Sequence, residues 1–267
     1  MARFSILLGS SDIKKDGGNP FAPDMFDYRT SNTFNYYHEV NPERRKLIDA
    51  ILAAVDDEDF NPGGAGIDRE TAAAVNRELY NSPLMSALDR YSPGVMYEAM
   101  NFQSLPTGAQ RRLLENGIIF SGLFGLLRPD DLIPEYHVAL DASIPKVGSV
   151  AEYWHDLVSA ILNKQLQDHI VWNLLPDAIP DVWDDEHVYS EMITANFYGR
   201  RKGGKLPPVT EGLQALRGQL VGFIVKESAE DVDLLEEWTH PAGYNYSAKD
   251  SEYNEETKTR SLAFVKR

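Results

Sequence analysis

Near the N-terminus, an apolar stretch at residues 3–8 with the hydropathy of a core strand runs directly into Gly-Ser-Ser-Asp-Ile-Lys-Lys. Hydroxyls, a carboxylate and two ammonium groups at a strand's carboxyl end stand where α/β sheets bind ligands. Lys14 could hold an anion there, with Ser11 and Asp12 beside it. A surface loop with solvated lysines is the bland alternative.

A second basic group occupies residues 199–205, Gly-Arg-Arg-Lys-Gly-Gly-Lys, in a chain otherwise dominated by acidic residues. Arg200 and Arg201 are suited to carboxylate or phosphate capture, and a solvated flexible loop is the competing reading. Residues 120–136, Phe-Ser-Gly-Leu-Phe-Gly-Leu-Leu-Arg-Pro-Asp-Asp-Leu-Ile-Pro-Glu-Tyr, end an apolar run in a charged knot. Pro129 pushes Arg128 toward extended geometry, and Asp130 or Asp131 can cap the next turn or pair with Arg128. By itself this describes a rigid corner and demands no catalysis.

Ser-Pro-Gly-Val at residues 92–95 separates two helical stretches. Such a hairpin can offer N–H groups to a phosphate, although a plain helical turn is the better reading of the residues alone. Glu152 and His155 have a Glu-x-x-His spacing that occurs once; with Ser149 three residues earlier, Glu152 reads better as half of a capping box than as a metal ligand. The common dinucleotide, P-loop, nucleophile-elbow and zinc patterns are missing, so no cofactor and no metal are expected.

These residues need a scaffold, and 267 residues with 43% hydrophobic content can supply one core. Zero cysteines exclude disulfides and thiolate chemistry. A net charge of −15 repels phosphate polymers at long range. No apolar run approaches the ~18–20 residues that cross a bilayer, so a cytoplasmic protein with no membrane partner is expected.

A helix is expected from Asn41, which would cap it with Pro42 in the first turn. Further helices are expected at about 68–81, 83–91, 94–102 and 106–115, with Asp68 and Ser82 as caps. A strand at 118–123, the longest helix within 147–169 and strands at 170–174 and 187–198 follow. Helices at about 210–226 and 229–237 precede a closing strand pair at 244–248 and 261–266. Residues 9–42 read as a long ordered loop, and 56–66 as a solvated one. The alternation predicts an α/β protein: one domain over residues 1–267, a mixed sheet enclosed by helices.

Ser121, Gly122, Leu123, Gly125, Leu127, Arg128, Pro129, Asp131 and Tyr136, followed by Trp154 and Asn173, resemble the bacterial YaaA family of peroxide-stress proteins. Ser11 to Lys14, Tyr91, Gly94 and Tyr97, Phe197 to Arg201 and Leu216 to Gly218 extend the resemblance in order. It departs at residues 202–215, which separate two basic elements that are nearly continuous in the family. It departs again at 136–141, where Tyr-His-Val-Ala-Leu-Asp replaces Tyr-Arg-Leu-x-Met-Gly.

The resemblance implies a fold in which helices enclose a sheet, with a basic cleft where the motifs converge. It implies protection from hydrogen peroxide by limiting iron, and DNA binding through a helix-hairpin-helix element. On that reading Arg128, Arg200, Arg201 and Arg217 would contact phosphates, while Gly94 opens the hairpin. An enzyme acting on a small anionic or nucleobase-like molecule is the alternative. Lys14 and Arg128 would then hold the anion, Ser11 and Tyr136 would line the site, and Asp12, Tyr97 and Asp131 are the acid-base candidates.

Overall fold

The computed structural model describes residues 3–19, 37–64, 66–200, 203, 205–227 and 232–267. Along the chain, β1 (Arg3–Gly9) precedes a helical stretch of α1 (Asn41–Ala54) and α2 (Arg69–Arg77). The short strand β2 (Met85–Ser86) leads into α3 (Ala87–Arg90), α4 (Val95–Met100) and α5 (Thr107–Asn116). Next come β3 (Gly117–Ser121), β4 (Gly125–Leu127), β5 (Leu132–Ile133), β6 (Ser143–Ile144) and β7 (Gly148–Ser149). The long helix α6 (Val150–Gln165) joins them to β8 (His169–Asn173) and β9 (Glu191–Tyr198). Helix α7 (Leu213–Glu227) and strands β10 (Tyr244–Tyr246), β11 (Glu252–Asn254) and β12 (Thr259–Lys266) complete the chain.

One mixed sheet organises these elements, in the order β10-β12-β9-β8-β1-β3-β4, with β11 also paired to β12. The five inner strands from β12 to β3 are parallel, and β4, β10 and β11 are antiparallel additions at the edges. All but the first residue of β1 are buried, as a strand enclosed on both faces must be. Trp154 on α6 and Trp172 on β8 are the largest side chains wholly inside the core. The mixed α/β architecture expected from the alternation is the one found.

Several local expectations change. Asn41 is the first helical residue of α1, and Val40 takes the cap position. The Asn41 side chain accepts a hydrogen bond from Arg44, whose guanidinium is fully buried and donates to the carbonyls of Phe124 and Leu126. Ser82 does not cap a helix: its hydroxyl takes the Glu135 N–H, and Ser86 caps α3 by accepting from Asp89. Asp68 caps α2 as expected, accepting from Thr71. Ser149 caps α6 by accepting the Glu152 N–H at 3.4 Å. The helix expected at 229–237 is a 3-10 turn at Val232–Glu236, and residues 228–231 lie outside the described part.

Residues 120–136 fold into the rigid corner that their composition predicts. The Arg128 N–H donates to the Asp131 carboxylate at 2.8 Å, and the Asp131 N–H returns to the Arg128 carbonyl. Gly125 has φ 68°, a left-handed conformation that glycine adopts without strain, and lies against the Trp154 indole. The Trp154 indole N–H donates to the Gly122 carbonyl at 2.8 Å.

Candidate functional site

The chain leaves β1 toward β3 on one side and leaves β8 toward β9 on the other, so the two exit loops diverge and open a crevice between them. Gly9, Ser10 and Ser11 from the exit of β1, Gly94 and Tyr97 from the start of α4, and Pro176 from the exit of β8 line a cleft of about 330 Å³. The Ser11 hydroxyl stands where a Cβ on Gly94 would project, so any side chain at 94 would push the β1 exit away from α4. Tyr97 donates its hydroxyl to the Gly9 carbonyl at 2.7 Å and ties the same two elements together. Ile13 and Val95, both more than half exposed, form an apolar rim.

Lys14 folds back onto the turn that lines this cleft, donating to the Ser11 carbonyl at 2.8 Å. Its ammonium stands 4.4 Å from the centre of the Tyr136 ring and 5.8 Å from that of Tyr91, within cation–π range of both. Loss of hydration lowers its pKa to about 8, opposed by the carboxylates of Asp12 and Glu135 and reinforced by the Arg90 guanidinium. Arg90 is itself buried and donates to the carbonyls of Lys15 and Pro83, which pins the loop in place.

Behind Lys14 lies a set of hydroxyls. The Tyr136 hydroxyl is 2.5 Å from that of Tyr91 and 2.7 Å from that of Ser121. Burial raises the Tyr136 pKa to about 12, so the phenol stays protonated.

Asp12 is exposed at the mouth, and its carboxylate packs on Gly64. The loop expected to be wholly solvated therefore reaches the site, and the Pro62 carbonyl accepts the Ala139 N–H beside it. His137 is buried and its backbone is clamped by Asn76, which bonds both its N–H and its carbonyl. Burial, with a smaller contribution from Lys14, lowers the His137 pKa to about 4. The imidazole is thus neutral at pH 7, and position 137 adds no charge next to Lys14.

Ser11, Asp12, Gly94 and Tyr97 line the cleft, while Lys14 and Tyr136 do not line it and pack against each other beside the Ser11 turn. The arginines go elsewhere. Arg128 donates to the Leu114 carbonyl and pairs with Asp130 at 3.4 Å. Asp131, 1% exposed, serves the corner described above. Arg200 donates to the carbonyl of Arg267, and Arg217 pairs with Asp177. None of these three arginines lines the cleft, and Arg201 lies outside the described residues.

Either side of Gly94, the helices α3 and α4 have four and six residues. His155 faces Asp156, and among the described residues no group of three or more His, Asp or Glu side chains is placed to hold a metal ion. Also among them, no helix is long and apolar enough to cross a membrane. Ser10, Tyr91, Ser121 and Glu135 stand beside these residues without a local pattern that marks them as site members. The hydroxyl contacts of Tyr136 join positions 45 and 15 residues apart, a proximity that no local pattern encodes.

An open, mainly parallel sheet with a crevice at the diverging ends of β1 and β8 defines a mixed α/β protein. The family model described as peroxide stress protein YaaA matches residues 33–250, and the chain belongs to that family. A UPF0246 protein of Rickettsia bellii is 28% identical over 204 residues, covering 74% of this chain and 79% of that protein. Another from Flavobacterium johnsoniae is 30% identical over 171 residues, 62% and 67% of the two chains. A third, from Streptomyces coelicolor, is 31% identical over 110 residues, 41% and 42% of the two chains.

Proposed function

We propose that this protein serves the peroxide response named by its family by binding, and chemically processing, a small anionic or nucleobase-like molecule in the cleft at the exit of β1. The observation that carries this reading is Lys14. A lysine with its pKa lowered to about 8 by burial gives up its proton far more readily than a solvated one. Such a group can bind an anion as ammonium and act as base or nucleophile as amine.

The surroundings fit this assignment. Tyr136 is a hydroxyl held by Tyr91 and Ser121 next to the Lys14 ammonium, and Ser10 and Ser11 line the cleft. Asp12 supplies a carboxylate at the mouth, and the rim of Ile13 and Val95 suits the face of a flat apolar ring. A polyphosphate backbone is less well served. The net charge is −15, and the described arginines that would neutralise phosphates are bonded to carbonyls and carboxylates of the chain itself.

The test is thermal-shift screening at pH 7 against nucleotides, nucleobases and anionic metabolites. A stabilisation of several degrees that Lys14→Met abolishes is the expected result. A blank panel, together with steeply salt-dependent binding of duplex DNA that Arg200→Ala with Arg201→Ala removes, would overturn this reading in favour of a nucleic-acid function.

A further inference from the structure

A second cavity, of about 240 Å³, lies at the carboxyl end of β9. Asn196 and Tyr198 from β9, Pro208 and Val209 from the following segment, and Asp177 and Arg217 line it. That segment is held against β9 by hydrogen bonds from Gly199 to Pro207 and from Val209 to Phe197. The wall therefore comes from within residues 202–215, the part of the chain that separates the two basic elements. This cavity adjoins the first cleft: Pro176 and Gln214 line the one, their chain neighbours Asp177 and Leu213 the other.

Arg217 and Asp177 make a lopsided pair. The arginine side chain is 6% exposed and the aspartate side chain 67%, although their atoms approach to 2.5 Å. Arg217 also donates to the Leu175 carbonyl at 2.7 Å, while its Nε is buried and has no hydrogen-bond acceptor among the described residues. A buried guanidinium is costly unless its donors are satisfied. Here one donor has no acceptor, and another is met by a carboxylate free to swing into solvent.

We propose that this cavity is a carboxylate-binding subsite, in which Asp177 occupies the place on Arg217 that the acid group of a small organic ligand takes when bound. The bidentate fork of Arg217 selects a planar carboxylate, and Asn196 and Tyr198 supply polar groups on the facing wall. This extends the ligand reading given above: a molecule whose reacting end lies near Lys14 would place its acid end on Arg217. Asp177 then works as an internal competitor that keeps the guanidinium paired in the free protein.

The experiment uses the full chain, acetate as the probe and chloride as the control at fixed ionic strength. The readout is the Nε–H resonance of Arg217 in nitrogen-resolved spectra, assigned by its loss in Arg217→Lys. A saturable shift with acetate and none with chloride is expected, and Asp177→Asn should tighten acetate by about fivefold or more by removing the competitor. The response should persist in Lys14→Met. No saturable shift in the wild type and in Asp177→Asn, or an unchanged affinity in Asp177→Asn, would overturn the subsite. Should Arg217→Lys unfold, the Asp177→Asn arm still decides. An intact Arg217 response alongside a blank ligand screen removes the Lys14 reading alone, and the reverse pattern removes this one alone.

Discussion

Two parts of one sequence block, residues 120–136, meet opposite fates. At the 128–131 corner the charged groups turn to nearby chain: the Asp131 carboxylate accepts the Arg128 N–H, and the Arg128 guanidinium donates to the Leu114 carbonyl and stands 3.4 Å from Asp130. At the block's two ends, Ser121 and Tyr136 come together and support a lysine whose ammonium rests on aromatic faces and one carbonyl. The corner spends its charges on its own chain. The Lys14 centre leaves a charge poorly hydrated and near its titration point, the condition for proton chemistry.

Substitutions should separate the two regions. Lys14→Met has the largest functional effect, complete loss of the ligand-induced thermal shift. Its melting temperature should equal or exceed that of the wild type at pH 7, because a dehydrated ammonium is replaced by an apolar side chain of similar length. As pH rises from about 8 toward 10.5, the folded lysine loses its proton before the unfolded one does. The wild type should therefore gain stability over that window and Lys14→Met should not, which unfolding at pH 8 and pH 10 can compare.

Asp131→Ala should do the reverse at the corner. It strands a buried N–H and disturbs the pairing around Arg128, for a loss of about 3 kcal/mol in chemical denaturation. Ligand affinity of the folded fraction should stay at the wild-type value; a tenfold loss would place Asp131 in the site after all.

Tyr136→Phe is intermediate. It breaks the hydroxyl contacts with Tyr91 and Ser121 at a cost of about 1–2 kcal/mol and should weaken the ligand response without abolishing it. The effect at His137 is confined to acid pH and leaves the ligand response unchanged. Between pH 6.5 and about 4 the unfolded chain takes up a proton that the folded imidazole refuses, so stability falls as the pH drops through that window. His137→Asn should lower the slope by at most one proton, about 1.4 kcal/mol per pH unit, measured by denaturation at pH 6.5, 5.5 and 4.5.

Much of the scaffold was legible in the residues. The unbroken apolar run of β1, the capping serine of α6 and the Arg-Pro-Asp-Asp corner each follow from hydropathy, cap chemistry and proline sterics. Asn41 departs from the cap that an asparagine beside a proline suggests because its partner Arg44 is drawn inward by the carbonyls of Phe124 and Leu126. The arginines were grouped by charge and by order along the chain, and neither property fixes position. Arg128 and Arg217 each found carbonyl and carboxylate partners next to their own elements.

What the sequence determined by itself was local: a buried strand ending in Ser-Ser-Asp-Ile-Lys, a corner, a family and a mixed α/β alternation. The tertiary structure decided which of those residues share a site. Lys14 matters because Tyr91 and Tyr136 close over it from distant points in the chain and remove water from its ammonium. Desolvation depends on what packs against a group in space, and only the folded sheet with its diverging loops supplies that neighbourhood.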